Sequence, residues 1–519
     1  MRLFRGIIIS GWLLFSFSAC THTQPPIAIP EYLELAEDNQ IEIQKALDHY
    51  QSDPEPQKLQ ALEFLLEHMS GHSYVAVELY DSLDQVVPFC VTDFPDYKTM
   101  VAGMDSVEVN IGELHFDRSV TQKDLETITA EFLIENIDWS FRAWQELPWA
   151  SNLTFSEFTN YVLPYRGSNE PIESFRPLFW HRYAQSLMDS AIGDDPVKAA
   201  TLINQELKEW FRFDERYYRH PTDQGVQEMM EMKLGRCEDM TNLAISAMRA
   251  NGIAVTSDYT PYWANSGNNH AWNAVLSKDK QIIPFMGCEA DPGAYRLWNK
   301  LAKVYRKMYA DQPENLTFQL EEWEKVPRWL SGKSYLDVTA DYVDVSDVTL
   351  ELDSIPDSTR FAYLCVFNSG EWSAIHWSKI KNNQVTFTDM GRDIAYLPVY
   401  FVNDDLIPAS APFILDLEGD LIILDASQGT PDQHIQLIST TKRKLAVSTD
   451  GIVETFFTEE TEYEMFVWQD EWVSVGKAIS KDSPLIFSVP ENGLYWLVET
   501  DSRQQERIFT WENGEQVWW

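Results

Sequence analysis

Apolar residues recur at spacings of three and four along much of the first third of the chain, which is the period of an amphipathic helix. One such run consists of Leu59, Leu62, Leu65, Leu66 and Met69. Further along, Thr121 and Asp124 resemble a capping box before an apolar run that ends at Pro148. This pattern predicts a helical N-terminal domain over residues 31–190.

The middle of the chain combines the helical spacing of three and four with the two-residue spacing of a strand. Helical spacing returns from Val197, and a second helix is predicted to begin at Cys237, with an apolar stripe of Met240, Leu243, Ala244, Ala247 and Met248. The alternating run of His270, Trp272, Ala274 and Leu276 then predicts a strand. A further helix is predicted over residues 294–308, with Lys300, Lys303, Arg306 and Lys307 on its solvated side. We predict an α+β core over residues 191–335.

Beyond residue 335, apolar residues recur at every second position, which is the spacing of a strand. Phe361, Tyr363, Cys365 and Phe367 alternate with smaller residues, and similar short runs separated by turn residues continue to the end. This is typical of β-sandwiches, and we predict two of them, over residues 336–429 and 430–519. The chain is therefore predicted to be a multi-domain α+β protein.

The first twenty residues have the composition of an export signal. Arg2 and Arg5 precede an apolar run at residues 7–17, which is too short to span a bilayer. Residues 17–20 read Phe-Ser-Ala-Cys and look like a bacterial lipobox, in which Cys20 becomes the lipidated N-terminus. The alternative is an ordinary signal peptide with an incidental cysteine. With Cys20 lipidated, residues 21–30 form a tether, and the protein is anchored at the outer membrane, the cell surface or in the periplasm.

Composition excludes some partners. The 519 residues include 40 Lys and Arg against 81 Asp and Glu, a net charge of -41. Such a field repels phosphate backbones and anionic headgroups, so we expect no nucleic acid and no membrane contact except through the N-terminal lipid. Besides Cys20, the chain has Cys90, Cys237, Cys288 and Cys365, which allow three disulfide connectivities and leave the pairing open.

Cys237 is the candidate nucleophile. In the first turn of a helix, the helix dipole and the unpaired backbone amides stabilise a thiolate and lower its pKa. Arg236 favours the same effect, whereas Glu238 and Asp239 oppose it if they point toward the sulfur. The directions of these side chains decide the outcome. The backbone N–H of Cys237 is the natural donor to an oxyanion.

His270 is the candidate acid and base. It begins the predicted strand, and a turn leads from that strand into a hairpin partner over residues 281–286. A carboxylate or amide on this partner would hold the imidazole in the right tautomer. Cys288 is expected to be a passive thiol, although a disulfide between Cys288 and Cys237 would block catalysis.

These motifs resemble a known family. Gly-Arg-Cys-Glu-Asp at 235–239, Asn-Gly-Ile at 251–253 and His-Ala-Trp-Asn at 270–273 look like the core of the transglutaminase-like superfamily. The resemblance covers roughly residues 195–310 and implies a papain-like α+β fold in which Cys, His and Asp catalyse acyl transfer or amide hydrolysis. More weakly, flanking segments resemble secreted Bacteroidetes-type proteins that carry this domain.

The third catalytic position departs from the family pattern. The family's Asp lies on the strand after the histidine strand, where this chain has Phe285 and Met286. Glu289 and Asp291 follow, and we prefer Glu289 because it is nearer the strand end. If neither carboxylate reaches His270, the site is a dyad or the domain is not an enzyme.

The sequence therefore predicts a cysteine enzyme that hydrolyses amide bonds of a protein or peptide substrate. The alternative is a non-catalytic scaffold of the same fold that binds surface protein or glycan through its β-domains. No cofactor and no metal are expected, because the sequence has neither a phosphate-binding Gly-rich loop nor a His/Cys cluster with zinc-ligand spacing.

Overall fold

The computed structural model describes residues 30–352, 354–426, 432–441, 456–481, 483–500, 502 and 506–519. The predicted signal with Cys20, nearly all of the predicted tether, and the predicted break at residues 429–430 lie outside these residues. Within them, no helix is both long and apolar enough to cross a membrane.

Helices dominate the N-terminal region. They are α1 (Glu31–Leu35), α2 (Gln40–Gln51), α3 (Pro56–His68), α4 (Tyr97–Ile111), α5 (Asp124–Thr127), α6 (Ala130–Glu146), α7 (Phe155–Tyr161) and α8 (Arg176–Met188). An antiparallel hairpin of β1 (Ser73–Tyr80) and β2 (His115–Lys123) interrupts them, which the helical pattern did not predict. Thr121 lies in β2, and the side chain of Thr129 instead caps α6, so the predicted capping box was wrong.

The central region contains α9 (Pro196–Trp210), α10 (Val226–Met232) and α11 (Cys237–Arg249). Its strands are β3 (Arg212–Phe213), β4 (Leu234–Gly235), β5 (Val255–Thr260), β6 (His270–Leu276), β7 (Ile282–Phe285), β8 (Tyr305–Lys307) and β9 (Tyr335–Asp337). Strands β5 to β9 form an antiparallel sheet in the order β7-β6-β5-β8-β9. This arrangement confirms the predicted mixed α+β core.

Helix α11 lies against β5 and β6 and is almost entirely buried. All five residues of its predicted apolar stripe are in the hydrophobic core. The helix ends as predicted, because Gly252 takes the left-handed backbone with φ 66°. The same hydrophobic cluster extends from the N-terminal helices through α11 to Trp272 on β6, so both regions support the strand that begins at His270.

The helix predicted over residues 294–308 was wrong. Residues 294–304 have no helix, and β8 follows between β5 and β9. The predicted solvated face is also wrong, since Lys303 and Arg306 are buried. Their charges are compensated by acids distant in sequence: Lys303 pairs with Asp337, and Arg306 with Asp258.

The C-terminal regions are rich in sheet, as predicted. The strands are β10 (Val345–Glu351), β11 (Phe361–Asn368), β12 (Glu371–Lys379), β13 (Gln384–Gly391), β14 (Ile394–Val402), β15 (Asp405–Pro408), β16 (Phe413–Leu415), β17 (Leu421–Ile423), β18 (Asp432–Leu437), β19 (Glu462–Trp468), β20 (Trp472–Ile479), β21 (Leu485–Pro490), β22 (Tyr495–Glu499), β23 (Ile508–Glu512) and β24 (Glu515–Trp518). The pair β10-β13 packs on the sheet β12-β11-β14-β16-β17, in which β15 also pairs with β14. The pair β18-β21 packs similarly on β20-β19-β22-β23-β24.

Candidate active site

Cys237 is the first residue of α11, and a compact turn places it there. The carboxylate of Asp239 accepts hydrogen bonds from the backbone N–H groups of Arg236 and Gln224, each at 2.9 Å. Gly235 is needed because a Cβ at this position would lie 2.7 Å from Cβ of Asp239 and 2.9 Å from the Phe211 ring. The buried carboxylate of Asp239 therefore holds the helix start.

The thiol of Cys237 is protonated at neutral pH. Burial, followed by the negative charge of Glu238, raises the pKa of Cys237 to about 11. The backbone N–H groups of Ala271 and Glu238 and the positive charge of Arg236 lower the pKa of Cys237, but these effects are smaller. The lowered pKa expected from the helix start is therefore not found, because desolvation outweighs the helix N-terminus.

Glu238 is itself ion-paired. Its carboxylate accepts from Nζ of Lys307 on β8, and the same ammonium donates to Oγ of Ser168 at 2.9 Å. This pair fixes the carboxylate beside the site, where its charge disfavours the thiolate of Cys237 and favours a protonated His270.

His270 begins β6 and lies among aromatic rings. Its Nε2 is 2.5 Å from the hydroxyl oxygen of Tyr295. The ring stacks on Trp263, with centroids 5.6 Å apart, and has Trp272 on another side at 5.9 Å. Burial lowers the pKa of His270 to about 4, so the imidazole is neutral at physiological pH.

Neither carboxylate proposed for the third position hydrogen-bonds to His270 within the part of the chain that the structure describes. Asp291 is held by α9, since it accepts from Asn204 at 3.0 Å, Gln205 at 3.1 Å and Lys208 at 2.7 Å. Glu289 is exposed, and its charge raises the pKa of Tyr295 in addition to the larger effect of burial. A hydroxyl therefore takes the contact with His270 for which the sequence suggested a carboxylate.

Tyr295 was not identified from the sequence. It lies 25 residues after His270, inside the segment wrongly predicted to be helical. The centroid of its ring lies 6.3 Å from that of the His270 ring. No local pattern marks such a residue, because its contacts depend on how an irregular segment folds back over β6.

The four described cysteines are free thiols, so the disulfide considered between Cys237 and Cys288 is not present. Cys288 is buried, and its backbone N–H donates to Asn204 at 2.8 Å. Burial raises the pKa of the Cys288 thiol well above its usual range. Its environment is that of an inert thiol, as the sequence suggested.

Comparison with known sequences covers part of this site. The sequence model of the transglutaminase-like superfamily matches residues 183–285, which include Cys237 and His270 and end before Glu289, Asp291 and Tyr295. No curated protein matches the chain.

Solved structures similar to this chain are remote. One is a protein from Cytophaga hutchinsonii assigned provisionally as a cysteine protease, with 15% identity over 22% of this chain and 37% of that chain, and a TM-score of 0.18. Another is red sea bream transglutaminase, with 10% identity over 87% of this chain and 77% of that chain, and a TM-score of 0.21. These scores are too low to support any structural argument.

Proposed function

We propose that this chain, whose residues 183–285 form a transglutaminase-like domain, hydrolyses peptide or side-chain amide bonds through an acyl-enzyme on Cys237. The observation that supports the proposal is the packing of α11, which begins at Cys237, against β6, which begins at His270. The side-chain amide of Asn273 on β6 joins the two elements by donating to the Thr241 carbonyl on α11 at 3.1 Å. A nucleophile and a base are thereby held on adjoining elements.

The reaction starts from a neutral thiol and a neutral imidazole. As the Cys237 sulfur attacks the amide carbonyl, His270 accepts the thiol proton, and the backbone N–H of Cys237 stabilises the oxyanion. Collapse of the tetrahedral intermediate breaks the C–N bond, and His270 returns the proton to the leaving amine. Water then attacks the thioester with His270 as base, which releases the carboxylic acid and restores the thiol.

Hydrolysis is preferred to cross-linking because water is the abundant acceptor outside the cell. The proposal also includes export of the protein and lipid anchoring through Cys20, at the outer membrane, at the cell surface or in the periplasm. This part of the proposal rests on the sequence of residues 1–20. The substrate class is protein or peptide.

Mass spectrometry tests the proposal directly. The intact protein is incubated with synthetic peptides containing internal glutamine, in oxygen-18 water, and quenched with acid. We expect an acyl adduct on Cys237, and product carboxylates that contain oxygen-18. Dansylcadaverine in a parallel reaction detects transfer to an amine. The absence of a Cys237 adduct would refute the acyl-enzyme mechanism. Dominant incorporation of the amine would refute hydrolysis as the main reaction.

The Tyr295→Phe variant tests the third position. Loss of the hydroxyl removes one hydrogen bond to His270, and a neutral hydrogen bond contributes about 1 kcal/mol, so we expect kcat/KM to fall about fivefold. Glu289→Gln and Asp291→Asn are measured beside it by the same peptide assay. A larger loss in either carboxylate variant than in Tyr295→Phe would show that a carboxylate, and not the hydroxyl, acts on His270.

The alternative is a non-catalytic transglutaminase-like scaffold that binds surface protein or glycan through its C-terminal β-regions. A specific observation favours it: the thiol pKa is raised to about 11, the imidazole pKa is lowered to about 4, and no carboxylate among the described residues bonds to His270. A full-length Cys237→Ala protein that binds cell-surface glycan as well as wild type, with no adduct on wild-type Cys237, would support the scaffold.

A further inference from the structure

A cleft of about 330 Å³ lies beside the start of α11. One wall is the β1-β2 hairpin, and the opposite wall is the segment at residues 218–223. Arg236, which immediately precedes Cys237, also lines it. Because Arg236 directly precedes the first residue of α11, the cleft reaches the start of this helix.

The hairpin presents an apolar surface with one positive charge to this cleft. Val77 on β1 is the register partner of Arg118 on β2, so their side chains share one face of the hairpin. Val75 and Phe116 are on that face as well, and both line the cleft. The neighbouring acidic residues Glu78 and Asp117 are register partners of each other and lie on the opposite face of the hairpin.

A second positive charge comes from the opposite wall. The guanidinium of Arg219 lies 5.6 Å from the centre of the Phe116 ring. Arg118 and Arg219 are exposed, and neither forms an ion pair with any residue that the structure describes. Asp223, the carboxylate that lines this cleft, is already neutralised by Arg236. In a chain with a net charge of -41, two uncompensated arginines facing one cleft are unusual.

The backbone of β1 is not open to a further strand here. The N–H of Val75 donates to the Asn169 carbonyl at 3.2 Å, and the N–H of Val77 to the Pro221 carbonyl at 2.8 Å. A bound peptide is therefore recognised by side chains and not by strand addition.

We infer that this cleft binds an acidic segment of the peptide substrate, with Arg118 and Arg219 receiving its carboxylates next to the amide attacked by Cys237. The inference rests on the proposed function, because it takes Cys237 as the point of reaction. Arginine suits this role, since its planar guanidinium donates two parallel hydrogen bonds to a carboxylate. At physiological salt the charges beyond about 8 Å are largely screened, so these local contacts outweigh the overall negative field.

Fluorescence anisotropy tests the inference independently of catalysis. The protein carries Cys237→Ala so that peptides stay intact. The probes are two rhodamine-labelled pentapeptides with a central glutamine, flanked either by four glutamates or by four glutamines. We expect the acidic peptide to bind about tenfold more tightly at physiological salt, in line with two partly exposed ion pairs. The double substitution Arg118→Gln and Arg219→Gln should remove this difference.

The matched control carries Lys45→Gln and Lys477→Gln, which remove the same charge from exposed sites on α2 and β20. It should keep the preference for the acidic peptide. Equal affinity for the two peptides, no binding of either, or an equal loss in the control variant would overturn the inference. A failure of the Cys237 chemistry would leave this binding result unchanged, so the two hypotheses are tested separately.

Discussion

The Cys237→Ala variant is expected to stay folded and to lose amide hydrolysis by at least about 10⁴-fold, because removal of a covalent nucleophile eliminates the acyl-enzyme route. Cys237 is only 8% exposed, and its replacement by alanine removes one sulfur atom. The stability cost should therefore be about 1 kcal/mol. Peptide turnover followed by mass spectrometry, with circular dichroism on the same samples, checks both parts.

Cys288→Ala is the matched control, because it removes another buried free thiol of the same core. Its sulfur lies 4.0 Å from the carbonyl oxygen of Met240 on α11. We expect a similar small loss of stability and full turnover. Turnover that survives Cys237→Ala, or that is lost equally in Cys288→Ala, would contradict the assignment of the nucleophile.

The elements that carry Cys237 and His270 could be predicted from the sequence because each has a strong local signal. Helix α11 has an apolar stripe and a C-terminal Asn-Gly, and β6 contains His270, Trp272, Ala274 and Leu276 at every second position. The helix and the strand follow from these spacings, although the residues between them on β6 are buried as well.

The segment after β7 could not be predicted in the same way. Its apolar residues fit a helical spacing, but its cations are buried against Asp337 and Asp258, which are distant in sequence. The contact of Tyr295 with His270 depends on the path of this irregular segment. Likewise, the pKa of Cys237 depends on burial, which residue type and helix position alone do not determine.

A buried polar network holds the strand of His270 in place, and its loss should have the largest effect on stability. Asp258 on β5 accepts from Nε and Nη2 of Arg306 at 2.8 and 2.7 Å and from the Tyr342 hydroxyl at 2.6 Å. Tyr342 in turn accepts from Nε1 of Trp272 at 3.0 Å. Since Trp272 is two residues beyond His270 on β6, this network links β8 to the candidate site.

We expect Asp258→Ala to lower the free energy of unfolding by about 3–5 kcal/mol, because it leaves the guanidinium of Arg306 buried without its compensating charge. Native-state hydrogen exchange of the β5 and β6 amides measures this part of the multi-domain chain separately. Asp341→Ala is the control on the same arginine, since Asp341 is 3.8 Å from Nη2 and its side chain is 53% exposed. That substitution should cost about 1 kcal/mol or less. Equal losses of unfolding free energy in the two variants would mean that the bidentate pair does not stabilise the strand. The expected difference would show that the buried charge of Arg306 requires the carboxylate of Asp258.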